Sequence, residues 1–262
     1  MQEQSTPAHF VDPHAGYDDV SLRLADWAID KTGESTPAAM ADFFEMIWMN
    51  HRNPVRDVLE ICSGFGRMLH ILVERGYSVT GLDRSLTMLA LAREKLGDDV
   101  ELVRAELPDL PLQRQFDAVV CPGAAFNYMT RESDLGRTFA EVARVLASGG
   151  TFVFDLMSRH MLKEAFSDND RAVDLGNLAA IWRFDSVAGT DYCEYHYSQF
   201  VRTGTSELYR VSRETHRLYT FDREAIQRMA MAAGFSEAAV YDNYTTRPAS
   251  NNTRYETWVF VR

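Results

Sequence analysis

Hydrophobic positions along the chain follow two spacings, and the switch between them lays out the architecture. In Pro37–His51, Met40, Phe43, Phe44, Ile47 and Trp48 fall at helical intervals, with Thr36 placed to cap the N-terminus and Pro37 suited to the first turn. Tyr17–Lys31 shows a similar pattern through Val20, Leu22, Leu24, Trp27 and Ile29, after a polar stretch, Met1–Ala15, that carries Pro7 and Pro13 and reads as a loose tail. Past Asn53-Pro54 the spacing changes. Val58–Ile61 is a short apolar run that predicts a buried strand, Cys62–Gly66 is a small-residue turn, and from Arg67 the positions Met68, Leu69, Leu72 and Val73 return to helical spacing. The alternation continues: strand Ser78–Asp83, helix Ser85–Leu96 stopped by Gly97, strand Val100–Ala105, strand Phe116–Cys121, helix Glu132–Leu146 and strand Thr151–Leu156. Strands alternating with helices predict a parallel sheet covered on both faces.

Beyond Leu156 the pattern becomes one of strands and turns. Ala180–Asp185, Asp191–Val201 and Glu207–Tyr219 are separated by Ala188-Gly189-Thr190 and Thr203-Gly204-Thr205, which are hairpin signals. Alternation puts Tyr192, Glu194 and His196 on one face and Cys193, Tyr195 and Tyr197 on the other; in the third strand Glu214, His216 and Leu218 oppose Arg213, Thr215 and Arg217. This antiparallel ribbon is more polar than a core strand needs, which makes it the expected place for reading a substrate. The plainer alternatives are an exposed ribbon with ordinary cross-strand pairs, or a subunit contact in a homodimer. A last helix opens near Asp222, with that residue or Thr220 as its cap, and closes at Gly234; Ala239–Asp242 and Thr257–Val261 complete the sheet.

Composition narrows the classes. At 262 residues, 46% hydrophobic and 25% charged, the chain fits one globular domain with an insertion. A net charge of −11 argues against nucleic acid or an anionic membrane as partner, because their phosphates would be repelled. Cys62, Cys121 and Cys193 are widely spaced, which fits a reducing compartment and no structural zinc, and no set of His, Asp and Glu has metal-ligand spacing. Without a signal peptide or a spanning apolar run, the expected location is the cytoplasm.

The chemistry is expected at the turn after the first strand. Gly64 and Gly66 allow a sharp bend and close approach of a ligand to main chain, and the next helix aims its free N–H groups at the same space. Asp83 ends the second strand, where a carboxylate can accept both hydroxyls of a ribose, a group shared by NAD and S-adenosylmethionine. The dinucleotide fingerprint, with Gly64 and Gly66 as its first two glycines, wants a small residue where Leu69 stands, which disfavours a dehydrogenase. The stretch instead resembles the E/D-x-G-x-G-x-G motif of class I S-adenosylmethionine-dependent methyltransferases, with Glu60, Gly64 and Gly66 matching and Cys62 departing. Further segments resemble the same family: Glu106-Leu107-Pro108 after the third strand, Phe116-Asp117-Ala118-Val119, Ser148-Gly149-Gly150 before a strand ending at Asp155, and the run Glu214–Phe235.

The resemblance, which spans Val55 to Arg262, implies an α/β fold: a Rossmann-like, doubly wound, seven-stranded and mostly parallel sheet with an antiparallel ribbon inserted after the fifth strand. It divides the chain into an N-terminal helical cap (1–54), a cofactor-binding core (55–157), the ribbon (170–219) and the end of the core (220–262). It implies S-adenosyl-L-methionine as cofactor, N-terminal helices that cover it (hence Tyr17), and Glu106 with Leu107 facing the adenine. The other candidate cofactor contacts are Glu60, Cys62, Gly64, Gly66, Asp83, Arg84, Met88 and Cys121, with Phe126 or Tyr128 offering a ring to the sulfonium. On the substrate side the candidates are Asn127, Tyr128, Asp155, Tyr195 and Arg213, and His196 and His216 are candidates for a catalytic base or for orienting the substrate. The ribbon resembles that of glycine and aminosugar N-methyltransferases, so the leading expectation is methylation of an amine on a small molecule. O-methylation of a metabolite or natural product is the alternative, and a catalytically silent cofactor-binding or interaction protein is the reading from another class.

Overall fold

The computed structural model describes residues 35–49, 54–165, 170–187, 189–204 and 207–262, so the expected helix over Tyr17–Lys31, and Tyr17 with it, lies outside the described residues. The elements follow in the order α1 (Pro37–Trp48), β1 (Asp57–Ile61), α2 (Arg67–Glu74), β2 (Ser78–Asp83), α3 (Leu86–Leu96), β3 (Glu101–Arg104), β4 (Phe116–Cys121), α4 (Glu132–Val145) and β5 (Leu146–Met157). Then come β6 (Arg171–Asp174), β7 (Leu178–Ser186), β8 (Tyr192–Arg202), β9 (Tyr209–Tyr219), α5 (Arg223–Ala232), β10 (Glu237–Asp242) and β11 (Tyr255–Val261).

Seven strands form one sheet in the order β10-β11-β5-β4-β1-β2-β3. β1, β2, β3, β4 and β5 pair in parallel, and β11 runs antiparallel to both neighbours, so this is the doubly wound, mostly parallel sheet expected from the sequence. The winding reverses between β1 and β4, and in such sheets the crevice beyond that reversal holds the ligand. β1 and β4 sit in the middle because both faces of each are apolar: Val58 and Val120 belong to one core, Leu59, Ile61 and Val119 to the other. The first core is closed by α1 and α2, with Met40, Phe43, Phe44 and Trp48 of α1 packed over the sheet. The second is built largely from rings, among them Phe139, Phe152, Phe154, Phe235 and Phe260.

Leu69, where a dinucleotide fold would place a small residue, is accommodated from across the sheet. A Cβ on Gly81 of β2 would lie 2.5 Å from Leu69 Cδ1 and 2.9 Å from Leu102 Cδ2, so the space the leucine needs comes from the neighbouring strand.

Two elements differ from the sequence reading. β5 begins at Leu146, not at Thr151, because Gly149 N–H donates to Arg262 O at 2.9 Å and Arg262 N–H donates to Gly150 O at 3.0 Å, which draws the glycine pair into the sheet. The ribbon has four strands, in the order β6-β7-β8-β9. β6 is short and polar, and it is held by a tight turn in which Asp174 Oδ1 accepts from Gly176 N–H at 2.8 Å. One face of the ribbon carries Ala180, Trp182, Phe184, Cys193 and Leu218 onto Met161, Leu162 and Tyr255; the other, with Ile181, Arg213, Thr215 and Arg217, faces outward.

Candidate cofactor and acceptor cleft

The turn after β1 takes a left-handed backbone at Cys62 (φ +56°), Gly64 (φ +51°) and Gly66 (φ +77°). At Cys62 the conformation is held without glycine, at a cost of about 1 kcal/mol. Gly66 caps α2, and a Cβ there would lie 2.9 Å from Leu96 Cδ1, so this position answers to both backbone sign and packing. A Cβ on Gly64 would meet nothing within 4 Å: that position opens on a cleft.

Asp83, almost wholly buried, fixes the turn from the end of β2. Its Oδ2 accepts the Gly64 N–H at 2.8 Å, and its Oδ1 accepts the Ser85 N–H at 2.8 Å. Ser85 in turn caps α3 by accepting from Met88 N–H. Each carboxylate oxygen keeps a further lone pair for a hydroxyl donor. Beneath the turn, burial pushes the Glu60 carboxyl well above its ordinary range; the Leu69 N–H opposes that rise and the charge of Asp83 adds to it. Glu60 Oε2 is buried and has no hydrogen-bond partner among the described residues.

The cleft measures about 490 Å³. Cys62 and Gly64 form its floor; Leu82, Asp83, Arg84 and Met88 with Ala105, Glu106 and Leu107 form one wall; Pro122, Gly123, Ala125, Tyr128, Met129, Thr130 and Asp134 form the other. Arg84 and Glu106 pair at 3.5 Å between the ends of β2 and β3. The sequence candidates Cys62, Gly64, Asp83, Arg84, Met88, Glu106, Leu107 and Tyr128 therefore meet at one place.

Others are placed differently. Phe126 is fully buried and sets its ring edge-on against Phe139, Phe152 and Phe154, so it faces the core and leaves the cleft wall to Tyr128. Cys121 is buried behind the floor, its thiol pushed up by burial and then by the neighbouring Cys62. Asn127 is wholly buried with its amide committed to main chain: Nδ2 donates to Met157 O at 3.0 Å and to Tyr219 O at 2.7 Å, and Oδ1 accepts from Met157 N–H at 2.8 Å. Asp155 is also buried, and Oδ1 accepts from Ala124 N–H at 3.1 Å, so it braces the loop after β4. Burial raises its pKa to about 6, against the opposing pull of the Ala124 N–H, the Tyr244 hydroxyl and the Gly123 N–H.

The ribbon reaches the cleft at Tyr128. Tyr128 meets the His216 ring edge-on, with centroids 5.8 Å apart, and His216 stacks on Tyr195 at 5.4 Å. His216 Nε2 lies 3.1 Å from Glu214 Oε2. His196 and Arg213 point from the opposite face of the ribbon: His196 Nδ1 is 3.0 Å from Thr215 Oγ1, its Nε2 is 3.1 Å from Asp185 Oδ2, and Arg213 is exposed. The two histidines named from the sequence therefore do not share a site, because residues 195 and 216 pair across the strands while 196 pairs with 215. Asp134, Met129 and Thr130 were missed by the sequence reading. The available signal for Asp134 was its place in the first turn of the helix that follows β4.

Comparison with known proteins bears on the same cleft. Residues 58–150 match the family described as a methyltransferase domain. The chain is similar to the putative methyltransferase YqeM of Bacillus subtilis (strain 168), 30% identical over 201 residues that cover 75% of this chain and 81% of that one. It is also similar to the dTDP-3-amino-3,6-dideoxy-alpha-D-glucopyranose N,N-dimethyltransferase of Streptomyces fradiae, 25% identical over 229 residues covering 86% and 87% of the two chains. In fold it is similar to the crystal structure of an S-adenosylmethionine-dependent methyltransferase from Clostridium acetobutylicum ATCC 824, with a TM-score of 0.82, 22% identity and coverage of 92% and 98%. The order of the sheet, the glycine turn gripped by Asp83 and these likenesses lead to one assignment: the chain belongs to the class I small-molecule methyltransferases, enzymes whose cofactor is S-adenosyl-L-methionine.

Proposed function

We propose that this enzyme methylates an amine nitrogen on a small molecule, with the cofactor in the half of the cleft nearest β1 and β2 and the acceptor between Tyr128, Asp134 and the ribbon. The observation that supports this reading best is the Tyr128–His216 contact, with His216 tied to Glu214, because it sets a carboxylate-oriented imidazole beside the cleft wall. A ring face and the Asp134 carboxylate suit an amine that arrives as a cation. The relative from Streptomyces fradiae, by its name an N,N-dimethyltransferase acting on an aminosugar nucleotide, is consistent with such an acceptor.

The residues fit the cofactor. The open side of Gly64 admits a ligand against main chain, Asp83 retains acceptor capacity for a ribose diol, and the unpartnered Glu60 Oε2 lies beneath the same floor. Met88 and Leu107 would flank the adenosyl part and Glu106 would accept from it. When bound there, S-adenosyl-L-methionine supplies an activated methyl carbon.

The chain's own residues then have three tasks. Leu82, Met88, Leu107 and Met129 exclude water from the cleft. Tyr128 and Asp134 orient the amine. An amine attacks only through a free lone pair, so its ammonium proton must first leave. With Nε2–H of His216 donating to Glu214, Nδ1 is the nitrogen left to take that proton.

The test is methyl transfer from labelled cofactor to glycine, sarcosine and dTDP-3-amino-3,6-dideoxyglucose, beside their hydroxy counterparts. Label on the amines and not on the hydroxy compounds supports the proposal. Label on hydroxyls alone turns it to O-methylation, and absence of transfer in protein that binds the cofactor counts against catalysis on this class of acceptor.

A further inference from the structure

We propose that Asn127 is a positioning residue that sets where the ribbon stands against the cofactor cleft, acting through Tyr128 and His216 without touching cofactor or acceptor. The inference rests on the reading that His216 faces the acceptor.

Asn127 is fully buried, and its amide joins segments far apart in the chain. One side chain accepts from Met157 N–H (2.8 Å), donates to Met157 O (3.0 Å) and donates to Tyr219 O (2.7 Å). Met157 is the last residue of β5 and Tyr219 is the last residue of β9. The loop after β4, the end of the central sheet and the root of the ribbon are thus bolted at a single planar group. The job calls for one acceptor and two donors in fixed geometry, which a carboxamide supplies and a carboxylate or hydroxyl does not. Other polar ties at the ribbon's root, such as Arg159 to Asp191 at 3.1 Å and to Asp222 at 3.0 Å, face solvent, where ion pairs hold less firmly.

The next residue carries the consequence. Tyr128 leaves the same short turn, lines the cleft and meets His216, which precedes Tyr219 on β9. One residue holds the ribbon by its backbone and its neighbour touches the ribbon by its ring. Displacing the β9 carbonyl from Asn127 would therefore move His216 relative to Tyr128 while leaving Asp83 and the glycine turn as they are. Proximity effects in group transfer are steep enough for a shift of this kind to act on turnover and leave cofactor binding alone.

The experiment uses Asn127→Ser and Asn127→Asp in the full chain. Histidine-labelled protein gives the His216 imidazole signal, assigned by its absence in His216→Asn, and calorimetry with S-adenosylhomocysteine gives cofactor-site affinity. The expected result is affinity within about threefold of wild type, with the His216 signal moved from its ring-shifted position toward that seen in Tyr128→Leu. With an amine that accepts methyl, kcat falls about tenfold or more at unchanged cofactor KM. An unmoved His216 signal in either folded variant overturns the proposal. So does loss of folding, or of S-adenosylhomocysteine binding, in both, since Asn127 would then serve the fold or the cofactor. The imidazole readout needs no acceptor, so failure of methyl transfer to amines stays distinguishable from failure of this inference.

Discussion

Asp83 Oδ2 accepts the Gly64 N–H at 2.8 Å, and through that bond the end of β2 holds the turn at the end of β1 in its ligand-ready shape. In the cofactor placement proposed above, the same carboxylate takes the ribose hydroxyls, so its loss would remove an anchor and a ligand contact together. Asp83→Ala is expected to weaken S-adenosylmethionine binding from micromolar strength by about a hundredfold or more, the equivalent of two hydrogen bonds to a charged acceptor. Calorimetry on folded protein decides it: binding within tenfold of wild type would remove Asp83 from the cofactor site.

His216 and His196 should behave differently despite lying in paired strands. His216 shares a face with Tyr195 and touches Tyr128, whereas His196 faces outward with Thr215 and Asp185. His216→Ala is expected to lower kcat about a hundredfold or more, from the lower end of what a general base contributes, with cofactor affinity unchanged. His196→Ala is expected to leave both quantities within about twofold and to cost under about 1 kcal/mol of stability, as for an exposed pair. The reverse pattern in steady-state kinetics would move the acceptor to the outer face of the ribbon.

These two histidines also mark how far the sequence could be read. Strand alternation separates 194 and 196 from 193, 195 and 197, and this parity appears unchanged in the pairing of β8 with β9. Parity does not say which face meets the core, because Tyr, His, Glu and Arg occur on both. That choice is made by Trp182, Phe184, Cys193 and Leu218 packing on Met161, Leu162 and Tyr255, contacts between residues distant in sequence. The side of the cleft beside β1, β2 and β3 was legible because its residues sit at the ends of consecutive strands, where Gly64, Asp83 and Glu106 each follow a strand pattern. The side toward the ribbon was less so. Asn127 and Asp155 read as substrate-side candidates near the ends of β4 and β5, but Asn127 bonds the main chain of Met157 and Tyr219 and Asp155 accepts the Ala124 N–H, groups that would otherwise be orphaned in the interior.

Asp155 gives a pH dependence whose sign follows from burial. In the folded chain its pKa stands near 6, above the value of about 4 expected when unfolded, so between those limits the native state holds the extra proton. Stability from this group is therefore present below pH 4, declines as pH rises through 6, and stays lost above, by on the order of 3 kcal/mol. Asp155→Asn cannot titrate. Urea denaturation from pH 4.5 to 8 should show wild type losing stability relative to Asp155→Asn across that window. Parallel curves would mean that Asp155 is ionised throughout.

Gly81 and Leu69 supply a sharper test of how this sheet accepts a leucine in the helix that follows the glycine turn. Leu69 is fully buried, and the nearest atom to a Cβ built on Gly81 is its Cδ1, at 2.5 Å, with Leu102 Cδ2 at 2.9 Å. Leu69 has no solvent to swing into and Leu102 is half-buried against it, so Gly81→Ala is expected to destabilise by about 1–3 kcal/mol, the range for overpacking a tight core. Leu69→Ala alone should cost about 2–5 kcal/mol through the cavity it leaves. The double variant should be less destabilised than the two single costs added together, because the new methyl group enters the space the leucine vacates, giving a favourable coupling of about 1 kcal/mol or more in a double-mutant cycle. Strict additivity would mean that helix α2 shifts as a body when Gly81 is filled. In that case the glycine turn would move with it, and cofactor affinity in Gly81→Ala, otherwise expected to hold, would fall in step with stability.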